Sequence, residues 1–355
     1  MRSQDGKVTL KMIAAEAGVS IGTVARALND SDGVNQDTRR MVLEIAERLN
    51  YRPNKLAGAL ARKKTLRIGM IYPEVSRDFY SYVDDGITDA AIELEDFGVT
   101  VEKIRYESQS PELESALLNS LDVSGFDGLA INSAGPAIEG CITRFTHAGL
   151  PVVTFNTDAA NSSRLFYVGS NTRQSGMMSA EVLAMLMGCS GKIAVLGDFT
   201  RSSPFIERFA GFCGFAQPRY PDIQIHPCAH VTSNADAMAH RLVEQIKLIP
   251  DIKGVFCTGY TSTVGALEAL HAIGRGDILV AGYDVTAKTA EAMSEDRLHA
   301  LIFQDPYQQG YTTAQLLSRH LLEGYLPPRQ CMYIENRIVL KSNLETYYKE
   351  DRSYG

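Results

Sequence analysis

The chain has 355 residues, with 35 Lys and Arg against 42 Asp and Glu and a formal net charge of -7. That length exceeds one comfortable hydrophobic core, so two or three domains are expected, and no apolar run approaches the roughly 18 residues of a membrane span. Cys141, Cys189, Cys213, Cys228, Cys257 and Cys331 are scattered without paired spacing, and the N-terminus lacks the apolar stretch of a secretory signal. A cytoplasmic protein with reduced cysteines is therefore expected, and a disulfide framework is not.

The charge is unevenly placed. Residues 1–64 carry 12 Lys and Arg against 7 Asp and Glu, leaving 23 against 35 for the remainder. A basic terminal unit on an acidic body suits a phosphate-contacting module, although a solvated charged face gives the same count.

Within that unit, residues 9–29 read as two short helices joined at Ala17-Gly18-Val19-Ser20. Thr9 can cap the first, where Ile13, Ala14 and Ala17 form an apolar stripe, and Gly18 permits a sharp reversal. Ser20 can cap the second, with Val24, Ala27 and Leu28 facing inward and Ile21, Gly22, Thr23 and Arg26 on the opposite side. This is a helix-turn-helix pattern, with those four residues placed as a recognition helix would place them. An ordinary helical hairpin is the alternative. Asn35 opens a third helix whose Met41, Val42, Ile45, Ala46 and Leu49 recur at helical spacing, and Asn50 to Asn54 breaks it around Pro53. Leu56 to Ala61 is a further short Ala/Leu segment before the basic run Arg62-Lys63-Lys64.

From Leu66 onward, apolar runs alternate with helical periodicity. Strands are predicted at Leu66 to Tyr72, Val99 to Tyr106, Gly128 to Asn132, Val152 to Phe155, Lys192 to Gly197, Gly254 to Thr258, Ile278 to Tyr283 and Leu298 to Gln304. Helices are predicted at Tyr82 to Phe97 and Gln174 to Met187, the latter stopped by Gly188. Such alternation gives open, mostly parallel sheets covered by helices, and there are too many strands for one small sheet. Two doubly wound lobes follow, with a ligand cleft at the carboxyl ends of their strands.

Residues just after predicted strands are therefore the candidates for ligand contact. Asp78, Phe79 and Tyr80 follow the first strand, and two adjacent aromatics in a polar turn suit stacking on a sugar, although core packing explains each ring equally well. Asn156, Asp158, Arg208, Asp284 and Gln304 can hydrogen-bond hydroxyls. Motifs for dinucleotide binding, nucleotide phosphate binding and a serine nucleophile elbow are missing, which disfavours a dehydrogenase or hydrolase. His226, Cys228 and His230 have the spacing of a weak metal cluster, but no metal or other cofactor is expected, and Asp84-Asp85 reads as a solvated helix start.

Val8-Thr9-Leu10, Ala17-Gly18-Val19-Ser20, Thr23-Val24, Arg26, Leu28-Asn29, Val34, Thr38-Arg39, Leu49-Asn50-Tyr51, Pro53-Asn54 and Leu66-Arg67-Ile68-Gly69 occur in that order. This run resembles the lactose-repressor (LacI/GalR) family of bacterial transcription regulators, and the likeness continues more weakly to about residue 340. The resemblance implies an α/β fold class: an N-terminal three-helix helix-turn-helix domain over 1–53, a hinge helix and linker over 54–65, and a two-lobed periplasmic-binding-protein-like sensor over 66–340. Lobe 1 would take about 66–170 and 306–329, lobe 2 about 171–305 and 330–340, with the chain crossing three times and a tail over 341–355.

By the same resemblance, Arg208 lies in an Arg-x-x-Gly-aromatic motif, Asp284 in a Gly-Tyr-Asp turn and Gln304 in a Gln-Asp crossover, all positions that contact effector. One departure is Gly259-Tyr260, where the family often has Asn-Asp, so a habitual hydroxyl contact is missing. Ile21, Gly22 and Arg26 would meet base edges, while Ser20, Thr23 and Asn29 would position phosphates. Thr9 and Asn54 join the DNA-facing set, and Leu60 would wedge into the minor groove.

The function implied is a repressor that binds a palindromic operator in double-stranded DNA as a homodimer and responds to a small molecule, a sugar or related polyhydroxy compound. An inducer is preferred over a corepressor. The alternatives are a corepressor-dependent regulator responding to a nucleobase or nucleoside, a sugar-processing enzyme, a transport binding protein and a nonspecific architectural DNA binder. The residues after Leu340 hold one leucine and no apolar heptad, which favours a dimer over a coiled-coil tetramer.

Overall fold

The computed structural model describes residues 10–28, 33–49, 65–74, 77–106, 111–133, 135–200, 203–229 and 234–348. The chain divides into two compact units, residues 1–62 and 63–355. Thr9, Asn29, Asn54, Leu60, the segment 56–61 and His230 lie outside the described residues, as does the side chain of Asp78.

The first unit contains α1 (Leu10–Ala17), α2 (Ile21–Leu28) and α3 (Gln36–Arg48). Gly18 makes the turn between the first two at a φ of +65°, a left-handed conformation that costs a residue with a Cβ about 1 kcal/mol or more. The Ser20 hydroxyl then accepts the Thr23 amide at 3.1 Å and caps α2. Ile13, Ala14, Val24, Ala27, Val42, Ile45 and Ala46 form a small core. Met41 was expected on that stripe but is 38% exposed, because one residue before Val42 is about 100° away around the helix. The Asn35 side chain caps α3 by accepting the Thr38 amide at 2.7 Å, and Arg48 pairs with Glu16 to tie α3 to α1.

The second unit contains two six-stranded sheets of like topology. The strands of the unit are β1 (Leu66–Pro73), β2 (Val99–Tyr106), β3 (Gly128–Ile131), β4 (Val152–Phe155), β5 (Tyr167–Ser170) and β6 (Gly191–Gly197). The chain continues through β7 (Ile223–Ala229), β8 (Ile252–Cys257), β9 (Leu279–Tyr283), β10 (Ala300–Phe303), β11 (Cys331–Ile334) and β12 (Arg337–Val339). The first sheet runs β11-β5-β4-β3-β1-β2 and the second β12-β10-β9-β8-β6-β7. All pairings are parallel except β10 with β12. Alternate residues of β1 and β6 feed different cores: Ile68, Met70 and Tyr72 join one cluster and Ile71 another, while Ala194 and Leu196 join one and Ile193 and Val195 another. Both sheets are thus covered on both faces, as parallel sheets require.

The chain passes between sheets after β5, after β10 and between β11 and β12. The last passage corrects the sequence reading, which gave all of 330–340 to lobe 2: β11 pairs with β5 in the first sheet, and only β12 joins the second. Four-residue and three-residue strands at sheet edges carry too little alternation to be separated by pattern. The tail also differs from expectation, because Leu344 is buried in the second lobe's core and Tyr347 packs 5.0 Å from Phe303. The three passages are stitched together. Asn336 donates to the Asn171 carbonyl at 3.0 Å and bonds Ser170, and Arg337 lies 3.5 Å from Asp305.

Among the described residues no helix is long and apolar enough to cross a membrane. All six cysteines are free, with Cys141, Cys228 and Cys257 buried.

Candidate functional site

The carboxyl ends of the middle strands of both sheets present polar side chains. Asn132 follows β3, Asn156 follows β4, Thr258 follows β8, Asp284 follows β9 and Gln304 follows β10. Asn156 and Asp284 sit at φ of +58° and +68°, in left-handed backbone that Asn and Asp tolerate better than other residues with a Cβ. Such conformations persist where surrounding bonds over-determine them. The Asn156 amide donates to the Val168 carbonyl at 3.0 Å and the Asp284 amide to the Ile302 carbonyl at 3.1 Å, so each turn is pinned to the neighbouring strand.

These residues form one hydrogen-bonded chain through both lobes. Asn132 Nδ2 donates to the Tyr80 hydroxyl at 2.9 Å and to Asn156 Oδ1 at 3.2 Å. Asn156 Nδ2 donates to Gln309 Oε1 at 3.0 Å, and Gln309 Nε2 to the Gln304 carbonyl at 2.8 Å. Gln304 then accepts from Arg208 Nη2 at 2.5 Å and donates through Nε2 to Asp284 Oδ1 at 2.7 Å. Arg208 Nη1 donates to the Thr258 carbonyl at 2.6 Å. Gln304 lies at the second passage between sheets, so this amide joins the chemistry of the two lobes.

Arg208 comes from the helix Ser203–Arg219 and is 5% exposed, with its guanidinium carbon 3.9 Å from the centroid of the Tyr283 ring. Its Nε and the Thr258 hydroxyl are buried without a hydrogen-bond partner. A buried polar group left unpaired costs about 1–3 kcal/mol, and here that cost falls on two residues already joined by the Arg208–Thr258 hydrogen bond. Burial raises the Asp284 carboxyl above the ordinary carboxylate range, against the opposing effect of Arg208 and the Gln304 hydrogen bond.

The structure thus gathers Tyr80, Asn156, Arg208, Asp284 and Gln304 from the sequence-derived set. It removes Asp158, whose carboxylate is taken by Arg164 (Nη2 to Oδ2 2.6 Å) and by the Thr154 hydroxyl at 2.7 Å. Burial of Arg164 demands that partner, which is why a carboxylate two residues after Asn156 is structural. Phe79 and Tyr80 also differ from expectation. They lie in the helix Arg77–Glu95, which begins five residues before the predicted start, and their rings are 9% and 7% exposed in the first lobe's core. Only the Tyr80 hydroxyl reaches the polar chain. Asp84 is no solvated helix start: it accepts from the Tyr72 hydroxyl at 2.5 Å and Lys103 at 2.7 Å and pairs with Arg105. Burial works against this carboxylate's ionisation, but the bonds from Lys103 and Tyr72 outweigh it and hold Asp84 below its ordinary range. Cys228 on β7 is buried with its thiol 3.6 Å from the Arg241 carbonyl.

Sequence reasoning missed Asn132, Thr258 and Gln309. Asn132 and Thr258 were legible as the last residues of predicted strands. Gln309 had no local signal, because its partner Asn156 is 153 residues away.

In the first unit, Ile21 is 48% exposed, and Gly22 and Arg26 are also exposed, while Val24 and Ala27 are buried. Ser20 is exposed and Thr23 half-buried beside it, their hydroxyls 2.9 Å apart. Arg26 folds along its own helix, with Nε donating to the Gly22 carbonyl at 3.2 Å. The exposed residues are those that the sequence placed on the outer face of the second helix.

The model of bacterial regulatory proteins of the lacI family matches residues 9–54, and that of the periplasmic binding protein domain matches residues 68–324. Catabolite control protein A of Staphylococcus aureus (strain MRSA252) is 34% identical over 155 residues, 44% of this chain and 46% of that protein. The protein of the same name from Streptococcus mutans is 33% identical over 153 residues, 43% of this chain and 44% of that protein. The chain thus spans a little under half the length of the curated relatives it matches. Among solved structures, a glucose-galactose binding protein from Geobacillus stearothermophilus superposes with a TM-score of 0.72 at 22% identity, over 79% of this chain and 99% of that one. An arabinose binding protein from the same organism gives 0.69 at 23%, over 81% and 100%. At those identities the likeness is one of fold.

Proposed function

Because the chain belongs to the lacI family of bacterial regulatory proteins, we propose that it is a cytoplasmic repressor whose operator affinity is set by a small polyhydroxy effector bound at the facing strand ends. The observation that carries this reading is the polar chain from Tyr80 through Gln304 to Arg208 and Asp284. It crosses between lobes at a passage of the chain, so a ligand engaging both ends changes how the lobes are held. An effector shifts the balance between DNA-bound and free forms by its differential affinity for the two. Hydroxyls suit a site made of amides, a guanidinium and a carboxylate.

On the DNA side, Ile21, Gly22 and Arg26 read base edges in the major groove and Ser20 and Thr23 face phosphates. Arg26 must leave its bond to Gly22 to offer a bidentate fork to guanine. A homodimer places two such helices on the halves of a palindrome about one helical turn apart.

The test begins with an operator selected from random duplex DNA, followed by anisotropy titration with and without D-glucose, D-galactose, D-ribose, D-fructose and myo-inositol. Arg26→Ala is expected to weaken operator binding by about 1–3 kcal/mol while leaving random DNA nearly unaffected. Equal loss on both DNAs would reduce Arg26 to a phosphate contact. Failure of every polyol to alter operator affinity or thermal midpoint would remove the sugar reading. Sedimentation equilibrium with and without operator tests the dimer.

A further inference from the structure

Two residues beyond the carboxyl end of β8, Gly259 leads into the helix Tyr260–Ala272. Its φ is -171°, an extended conformation open to any residue, so backbone geometry does not call for glycine. Space does. A Cβ at this position would lie 2.8 Å from Cε1 and 3.0 Å from Cζ of Phe205, with Arg208 Nη1 at 3.7 Å. The Phe205 ring therefore fills the place into which a side chain at 259 would project. The two residues beside it, Arg208 through Nη1 and Thr258 as the chain neighbour of Gly259, each carry a buried polar atom without a partner, the Arg208 Nε and the Thr258 hydroxyl.

Phe205 is half-buried, and its ring centroid is 5.4 Å from the Arg208 guanidinium carbon. It differs in this from Tyr283, which is fully buried beneath the same guanidinium, and from Phe79 and Tyr80, which are closed into the first lobe's core. Among these rings near the strand ends, Phe205 retains the most accessible surface. Where sequence alone recorded the loss of a hydroxyl contact at 259, the fold has substituted an aromatic face.

We propose that Phe205 is the specificity-determining residue of the effector site, a platform for the apolar C–H face of an uncharged monosaccharide, and that Gly259 is kept small to admit it. The proposal rests on the polyhydroxy-effector reading above. Stacking orients the sugar ring, and its hydroxyls then meet the Arg208 Nε, the Thr258 hydroxyl and Asp284. Phosphorylated sugars are rejected. The Arg208 guanidinium is already shared between Gln304 and Thr258, and a phosphate would be set against the neighbouring carboxyl group of Asp284.

The full chain contains no tryptophan, so Phe205→Trp supplies a single reporter. Its emission should change saturably with whichever of D-glucose, D-galactose, D-ribose, D-fructose or myo-inositol the wild type binds by calorimetry. A control Phe97→Trp, exposed in the turn between the helix Arg77–Glu95 and β2, should not respond. Phe205→Leu, which keeps most of the volume without the ring, should weaken that sugar roughly three- to tenfold, and Phe205→Tyr should retain it. Gly259→Ala should produce a similar loss with Phe205 intact, and the double variant should lose no more than either alone. D-glucose 6-phosphate should bind more weakly than D-glucose.

Unchanged sugar affinity in Phe205→Leu, or a silent Phe205→Trp in a chain that binds sugar, overturns the Phe205 assignment and leaves the sugar reading standing. Equal or tighter binding of the phosphate overturns the uncharged-ligand claim. Absence of any sugar binding by the wild type overturns both readings together.

Discussion

Asn156 and Asp284 occupy the same place in two copies of one topology. Each follows the fourth strand of its lobe, each is left-handed, and each donates its amide to the next strand over. Their chemistry is opposite. Asn156 sits among neutral partners, Asn132, Gln309 and the Tyr167 hydroxyl, which donates to its carbonyl at 2.8 Å. Asp284 sits where Gln304 connects it to a buried guanidinium. The backbone device is thus a property of the fold, whereas the charge is a property of the second lobe, and the polar chain has one neutral and one ionisable end.

The largest effect should come from a residue that resembles part of this comparison and is not. Asp158→Ala leaves Arg164, whose side chain is 5% exposed, without its counter-charge. Breaking such a pair typically costs about 3–5 kcal/mol, to be read as a lowered midpoint in urea. Effector affinity of the remaining folded protein should be unchanged. A selective loss of effector binding with normal stability would return Asp158 to the site.

Arg208→Ala tests the charged end directly. It strips the donor from the Gln304 side chain and from the Thr258 carbonyl, which costs about 2–3 kcal/mol of stability when buried acceptors are orphaned. Effector response should disappear while operator binding by the uninduced protein persists. A variant that still responds at the wild-type sugar concentration would show that the ligand does not use this guanidinium.

Exchanging the paired positions should have unequal consequences of about 1–2 kcal/mol. Asn156→Asp places a carboxyl among neutral partners, so burial should raise its folded-state pKa above the unfolded value. The variant is then penalised at neutral pH and recovers as pH falls through the raised pKa, because the native state takes up the proton first. Asp284→Asn keeps the left-handed turn, loses the wild-type carboxyl's pH dependence in the same direction, and weakens the effector. Thermal midpoints between pH 4 and 8 distinguish these cases; parallel curves for all three proteins would deny the asymmetry.

How much of this was legible beforehand depends on whether the determining contacts are local. The helix-turn-helix was readable from Gly18, Ser20 and the spacing of Ile13, Val24 and Ala27, all within 20 residues. β2 and β4 were bounded as observed, since each is followed directly by a polar residue, Glu107 or Asn156. β5 escaped notice because Tyr-Val-Gly-Ser has neither length nor alternation, and the division of 330–340 into β11 and β12 in different sheets was missed because their membership is decided by partners far along the chain. The site divides in the same way. Arg208, Asp284 and Gln304 were found at strand and motif positions, whereas the role of Gln309 and the loss of Asp158 to Arg164 are tertiary facts.

The smallest effect expected belongs to the second lobe alone and marks a further difference from the first. His299 accepts the Val280 amide through Nδ1 at 3.1 Å, just before β10, a bond that only the neutral imidazole can make in this geometry. Burial lowers its pKa below the ordinary value of 6.5, against the opposing pull of Asp296. A depressed folded-state pKa means that the unfolded chain takes up a proton first as pH falls. The stabilisation is complete above 6.5 and is lost between that value and the lower folded one. Wild type should therefore lose at most about 1 kcal/mol relative to His299→Gln on going from pH 7.5 to 5.5. The measurement is the difference in urea midpoint between the two proteins at each pH, and a difference that stays constant across the range would mean that the imidazole takes up its proton equally in the folded and unfolded chains.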